Sequence, residues 1–176
     1  SYPNTSTSYR IGSTGRSMYM YCYASTSNAN NIYTLIATPA VDTTVMPIDT
    51  LQVSFAIYAS SNYTNQGAVV GVMTDPTDFS TFVPVDTVHA TYGSWVYDEV
   101  PLSAYNGNGT YIAIVSKNIG YTTNSVYIDD LEINVIPSCP RPRDLAVDTA
   151  TLSATSATIN WTATGASDYI IEYGLH

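Results

Sequence analysis

Val126-Tyr-Ile-Asp-Asp-Leu-Glu-Ile-Asn-Val-Ile136 runs directly into Pro137-Ser-Cys-Pro-Arg-Pro-Arg-Asp-Leu145, and these residues decide where one β-domain closes and the next begins. Counted in twos, Tyr127, Asp129, Leu131, Ile133 and Val135 fall on one face of a strand, and Asp130, Glu132 and Asn134 fall on the other. A regular strand therefore turns Asp129 toward the apolar side. A carboxylate facing a core is costly unless a cation or several hydrogen-bond donors meet it, so the pattern itself demands chemistry at this position.

Working outward, strand-like runs recur between turn signals, and no stretch has the periodicity of an amphipathic helix. The expected strands are Met18 to Tyr23, Ile32 to Ala37, Leu51 to Ala59, Ala68 to Thr74, Thr81 to His89, Trp95 to Val100, Thr110 to Ser116 and Val126 to Val135. Leu51, Val53, Phe55 and Ile57 alternate most clearly, with Gln52 and Ser54 opposite. Asn106-Gly-Asn-Gly109 can supply the positive φ angles of a tight hairpin, which would join a strand at Leu102 to Tyr105 with the one starting at Thr110. Strands with long connections and a single core predict an all-β fold, a two-sheet jelly-roll β-sandwich.

Composition agrees. Apolar residues make up 45% of the 176 and charged residues only 11%, while 16 tyrosines and many Ser, Thr and Asn keep the surface wet through hydroxyls and amides. That balance is the look of an exported, extracellular β-protein. The formal charge is -9, and Arg10, Arg16, Lys117, Arg141 and Arg143 form no stripe, which excludes nucleic acid as a partner. No apolar run reaches membrane-spanning length, so no membrane insertion is expected. The chain reads as starting after processing, or as an excerpt of something longer.

The character changes after Ile136. The division expected is a first domain over residues 1–136, a proline-rich linker over 137–143 and a second, incomplete domain over 144–176. In the last part, Asp144-Leu-Ala-Val-Asp148, Ala157-Thr-Ile-Asn-Trp-Thr162 and Tyr169-Ile-Ile-Glu-Tyr-Gly174 follow at strand spacing. This resembles the opening three strands of a fibronectin type III domain, an immunoglobulin-like sandwich. The resemblance makes Trp161 the core tryptophan and sets Tyr169, Ile171 and Tyr173 along the third strand. Only 38 residues run from Cys139 to His176, both included, whereas such a sandwich needs about 100. The expectation is a domain cut short, and a chain that is part of a larger modular protein.

The first domain resembles the MAM-like jelly-roll modules grouped with the cleaved-adhesin domains of gingipain-type surface proteins, over most of Gly15 to Val135. The likeness is carried by Thr38-Pro-Ala-Val-Asp42, Leu51-Gln-Val-Ser-Phe55, Val70-Gly-Val-Met-Thr-Asp-Pro-Thr-Asp-Phe-Ser-Thr-Phe82, the Trp95 strand, Tyr105-Asn-Gly-Asn-Gly-Thr-Tyr-Ile-Ala-Ile114 and Tyr127-Ile-Asp-Asp-Leu-Glu-Ile133, in that order. It implies a secreted or cell-surface bacterial protein in which such modules stand beside an enzyme or an anchor and bind glycans or host proteins. It also implies a structural Ca²⁺ held in part by the aspartate of the last strand. The departure is that Ser1 to Gly12 carries no acidic residue to complete such a site.

Candidate sites follow. Ca²⁺ takes six to eight oxygens, to which Asp129 can contribute one, and Asp130 another only if a bulge turns it to the same side. The alternative is that Asp129 accepts hydrogen bonds from backbone amides or hydroxyls. Asp75 and Asp78 read as turn residues. Tyr19, Tyr21 and Tyr23 alternate with Met18, Met20 and Cys22, giving a row of phenols that can stack sugar rings or pack across strands. Cys22 and Cys139 can pair as a disulfide or remain thiols, Cys22 sitting inside a strand and Cys139 in the linker. Asn4, Asn62, Asn108 and Asn160 stand in Asn-x-Ser/Thr sequons, which a eukaryotic secretory host would use. Asp-Thr pairs at Asp42, Asp49, Asp86 and Asp148 resemble the O-glycosylation sequon of bacteria that carry these modules, which makes Thr43, Thr50, Thr87 and Thr149 candidates.

Catalysis has no motif here. There is no Gly-x-Ser-x-Gly, no His-Glu-x-x-His, and the histidines are His89 and His176 alone. Glu99, Glu132 and Glu172 offer no pair for glycoside hydrolysis. The expected function is a non-catalytic adhesion or carbohydrate-binding module of a bacterial surface or secreted protein. The alternatives are an accessory module of a secreted peptidase or glycoside hydrolase, and a structural spacer or filament segment.

Overall fold

The nine residues Leu51–Ala59 alternate apolar and small or polar side chains, and the strand they form, β4, pairs on both sides. The computed structural model describes residues 3–23, 33–117, 123–139, 142–163 and 168–170. The chain divides into two compact units, Ser1–Val135 and Ile136–His176.

The first unit is a sandwich of two antiparallel sheets. A five-stranded sheet has the order β1 (Asn4–Ser6), β2 (Ser17–Cys22), β9 (Asn124–Val135), β4 and β7 (Trp95–Pro101). A four-stranded sheet has the order β3 (Tyr33–Ala37), β8 (Tyr111–Lys117), β5 (Gly67–Met73) and β6 (Val83–His89). Their inner faces supply the core: Met20, Val53, Phe55, Ile57, Val126 and Ile128 from one sheet meet Val70, Val72, Ile112 and Ile114 from the other. All are nearly inaccessible. Burying such a side chain contributes about 1.5–3 kcal/mol. This is the all-β, two-sheet arrangement that the alternation predicts.

Two features depart from the expected pattern. Leu102 to Tyr105 is not a strand: the Tyr105 amide donates to Leu102 O (2.9 Å), closing a turn. Because β7 and β8 belong to different sheets, the Asn106–Gly109 segment joins the two layers instead of closing a hairpin. Tyr105 is buried there, and its phenol oxygen accepts from the Gly109 amide (2.7 Å). Gly and Asn report a sharp turn, but the sequence does not say whether the strands on either side pair.

The second departure concerns Asp129. On β9, Asp129 pairs with Ala56 and Glu132 with Ser54, so the three-residue step on β9 faces a two-residue step on β4. Asp130, at φ +50°, takes the left-handed conformation that admits the extra residue. The bulge inverts the alternation. Val126 and Ile128 before it, and Ile133 after it, face the core, while Tyr127 and Asp129 join Glu132 and Asn134 on the outer face. Asp129 is therefore not turned inward, which corrects the expectation from a regular strand.

Each outer face is overlaid by aromatic side chains. On the four-stranded sheet, Phe82 lies so close to Gly71 that a Cβ there would come within 2.6 Å of its ring, and Phe79 stacks between Tyr33 (4.0 Å) and Phe82 (5.7 Å). On the five-stranded sheet, the β1–β2 loop brings Tyr9 over Ser17, whose hydroxyl donates to Tyr9 O.

In the second unit, β10 (Arg143–Asp148) pairs antiparallel with β11 (Thr158–Thr162), and Trp161 meets Tyr169 with ring centroids 5.5 Å apart. Ile171 and Tyr173 lie outside the described residues. Both cysteines are free thiols, Cys22 buried and Cys139 exposed. The Cys22 thiol donates to Ser116 O (2.8 Å).

Candidate functional site

Alternation on β2 sends Met20 and Cys22 into the core and Tyr19 and Tyr21 outward. The same rule, with the bulge, sends Ser125, Tyr127 and Asp129 outward from β9, Tyr58 from β4 and Trp95 and Tyr97 from β7. Register then does the rest. Tyr19 pairs with Tyr127, Tyr127 with Tyr58 and Tyr58 with Trp95, so aromatic residues from four strands fall in one line across the sheet.

The spacing of the strands sets the geometry of the rings. Neighbouring strands lie about 4.8 Å apart, and the Tyr19 and Tyr127 rings stack with centroids 4.6 Å apart and planes 25° from parallel. Tyr58 stands edge-on to Tyr127 at 6.4 Å, and Trp95 follows at 5.4 Å from Tyr58. Tyr9 closes over the middle, 4.6 Å from Tyr127 and 5.1 Å from Tyr58. Tyr127 is only 9% exposed as a result. Burial, then the phenols of Tyr19 and Tyr9, push its pKa up.

Beyond Tyr19 the row opens to solvent. Tyr21, 6.1 Å from Tyr19, is 37% exposed, and Tyr23 is 58% exposed. The loop after β4 adds Tyr63, 50% exposed. Burial, then the phenols of Tyr19, Tyr63 and Tyr23, raise the Tyr21 pKa.

That loop is fastened from within. Gln66 is buried; its amide Nε2 donates to Ser61 O and to Tyr63 O (3.4 Å), and its Oε1 accepts from the Ser125 amide (3.0 Å). Ser125 is the residue opposite Tyr21 on β9. Its hydroxyl is 2.9 Å from that of Ser60 and 3.1 Å from that of Tyr19. The residue after Gln66, Gly67, is held by buried Asn124, which donates to Gly67 O (2.6 Å) and to Ser116 Oγ (2.9 Å).

Asp129 serves the other end of the row. Its Oδ2 accepts from the Ile11 amide (2.8 Å) and its Oδ1 from the Asp130 amide (3.0 Å), which anchors the loop that carries Tyr9. The same loop is closed by Arg10, whose guanidinium donates to Thr7 O (2.8 Å) and Ser13 O (2.8 Å). A bulge does stand at Asp130, but among the described residues no three His, Cys, Asp or Glu side chains converge to hold a metal ion. Both Asp129 oxygens accept amide hydrogens, which is the hydrogen-bonded arrangement the sequence offers as the alternative to a metal ligand.

Of the other predicted positions, Thr43 and Thr149 are exposed in turns, Thr87 is half-buried on β6, and Thr50 is exposed with its hydroxyl donating to Pro47 O (2.7 Å). Thus Tyr19 and Tyr21 share the outer face of β2, Tyr23 follows the strand's end, and Tyr9, Tyr58, Trp95 and Tyr127 join that face unannounced. Tyr127 was assigned inward by the uninterrupted count, and nothing in one sequence reveals which tyrosines share a register.

No family model matches the chain, and no curated protein matches it in sequence. Solved structures do match in fold. The K1 cleaved adhesin domain of Lys-gingipain from Porphyromonas gingivalis W83 superposes with a TM-score of 0.52 at 15% identity, covering 76% of this chain and 82% of that one. A family 30 carbohydrate-binding module gives 0.54 at 14% identity, covering 75% and 82%. A second structure of a family 30 carbohydrate-binding module gives 0.53 at 13% identity, covering 85% and 82%. What this chain shares with them is the β-sandwich fold.

Proposed function

We propose that the chain is a non-catalytic, extracellular binding module for carbohydrate chains, serving adhesion as part of a modular bacterial surface or secreted protein. The observation that carries this is the exposure of Tyr21 and Tyr23 at the end of a packed cross-strand line of aromatic rings, Tyr19, Tyr127, Tyr58 and Trp95, that supports them from β9, β4 and β7. Aromatic rings offer apolar faces to the C–H faces of sugars, and their hydroxyls offer hydrogen bonds. The fold shared with a cleaved adhesin domain and with carbohydrate-binding modules supports the same class. The second unit reads as the opening of a fibronectin-like domain, supported by the β10–β11 pair and the contact of Trp161 with Tyr169.

The test is retention of the 176-residue chain on a glycan array and in gels cast with soluble polysaccharides. Binding to at least one glycan, weakened in Tyr21→Ala, is the expected result. Absence of binding to every neutral, amino-bearing and acidic glycan would sink the proposal.

A further inference from the structure

We infer that the sugar-contacting part of this surface is the exposed group Tyr21, Tyr23 and Tyr63, that Gln66 is its positioning residue, and that it takes an uncharged pyranose chain. The inference rests on the carbohydrate-binding reading and narrows it.

Stacking separates the two ends of the aromatic row. A ring that lies face to face with its neighbour cannot offer that face to a ligand. Tyr19 and Tyr127 cover one another, and Tyr9 covers Tyr127 and Tyr58 from above. Those rings therefore act as a small second core that holds the β1–β2 loop. Tyr21 stacks one side on Tyr19 (6.1 Å) and, like Tyr23 and Tyr63, lies outside the Tyr9 cover with more than a third of its surface exposed.

Tyr63 sits on a loop, where an exposed aromatic would ordinarily lose its position to chain entropy. Here the loop is fixed by a buried amide. Gln66 donates to two of the loop's own carbonyls and accepts from Ser125, the residue opposite Tyr21, so its three hydrogen bonds tie the Tyr63 loop to β9 at the level of Tyr21. A buried glutamine with these partners preorganises a contact surface, which lowers the ordering cost of binding.

Charge narrows the ligand. In the first unit, the arginines among the described side chains are Arg10, on Thr7 O and Ser13 O, and Arg16, on Thr5 Oγ1 (2.9 Å). Both are engaged in the β1–β2 region. With a formal charge of -9, the protein repels a polyanion.

The experiment is affinity electrophoresis of the full chain in gels containing hydroxyethylcellulose, galactomannan or polygalacturonate, with thermal melting of each variant. Retention by a neutral polymer and none by polygalacturonate is expected. Tyr63→Ala and Tyr23→Ala should each weaken retention about tenfold with little change in melting. Tyr92→Ala removes an equally exposed tyrosine that β4 and β9 separate from Tyr21, and should bind like the parent. Gln66→Glu keeps the acceptor for Ser125 and loses both donors. It should weaken retention in the parent and add nothing in the Tyr63→Ala background, whereas a merely structural role would add in both.

If a neutral polymer is retained equally by the parent, Tyr23→Ala and Tyr63→Ala, this site assignment is overturned while carbohydrate binding stands. If polygalacturonate is retained best, the charge argument is overturned. If no polymer is retained, the broader reading falls and takes this one with it.

Discussion

The outer faces of the two sheets solve one packing problem in different ways. Over the four-stranded sheet, Phe82 lies against Gly71 on a strand that is buried on both sides, and Phe79 and Tyr33 extend the ring stack from it. Over the five-stranded sheet, tyrosines and one tryptophan do the covering, with Ser17 as the small residue beneath the loop. Phenyl rings suffice where nothing but packing is required. Phenols appear where the row must continue into water, since each ring can bury one edge and hydrate the other. The first face is closed, and the second opens at Tyr21.

The largest effect should come from breaking the closed face. Gly71→Val would place a Cβ 2.3 Å from Val83 O, a backbone atom that cannot swing aside, and 2.6 Å from Phe82. A loss of about 3 kcal/mol is expected, read as a lower urea midpoint.

On the open face, Tyr127→Leu keeps apolar bulk and removes the ring contacts with Tyr9, Tyr19 and Tyr58. The cost should be about 1–2 kcal/mol, smaller because the stack has only a loop above it. Alkali sharpens the same comparison. Burial first, then Tyr19 and Tyr9, raise the Tyr127 phenol above the ordinary value of about 10, so the unfolded chain gives up that proton before the folded one does. Its contribution is whole below pH 10 or so and is lost as the pH climbs through the folded-state value. Tyr127→Phe, which keeps the ring, should make the alkaline fall in melting temperature shallower; an unchanged profile would count against a buried phenol here.

Legibility in the sequence follows the same division. Alternation in Leu51–Ala59, Gly67–Met73 and Ser17–Cys22 is a local property, so those strands and their core faces are legible from the residues alone. The line from Tyr19 to Trp95 depends on register among β2, β9, β4 and β7, whose partners come from distant parts of the chain. Only Tyr19, Tyr21 and Tyr23, neighbours on one strand end, share a local signal. Leu102–Tyr105 misled because Gly-rich turns punctuate crossings between sheets as readily as hairpins. Asp129 misled because one residue at positive φ, Asp130, reverses the count for everything before it.

Asp129 also gives the smallest predicted effect, and the one that separates two accounts of its end of the sheet. Asp129 anchors Ile11, and Arg10 draws Thr7 O and Ser13 O together, so the loop over Tyr127 is held by amide and guanidinium hydrogen bonds. Asp129→Asn retains a neutral acceptor and removes the charge-assisted part of the Ile11 bond, a partly exposed interaction expected to cost about 1 kcal/mol. A calcium cage would behave otherwise: chelator would lower the melting temperature of the parent protein and leave Asp129→Asn, already deprived of its ion, unaffected. The hydrogen bonds predict no change with chelator in either protein. A chelator-sensitive parent would mean that the carboxylate has partners beyond these amides, and the loop over Tyr9 would then owe its position to the ion.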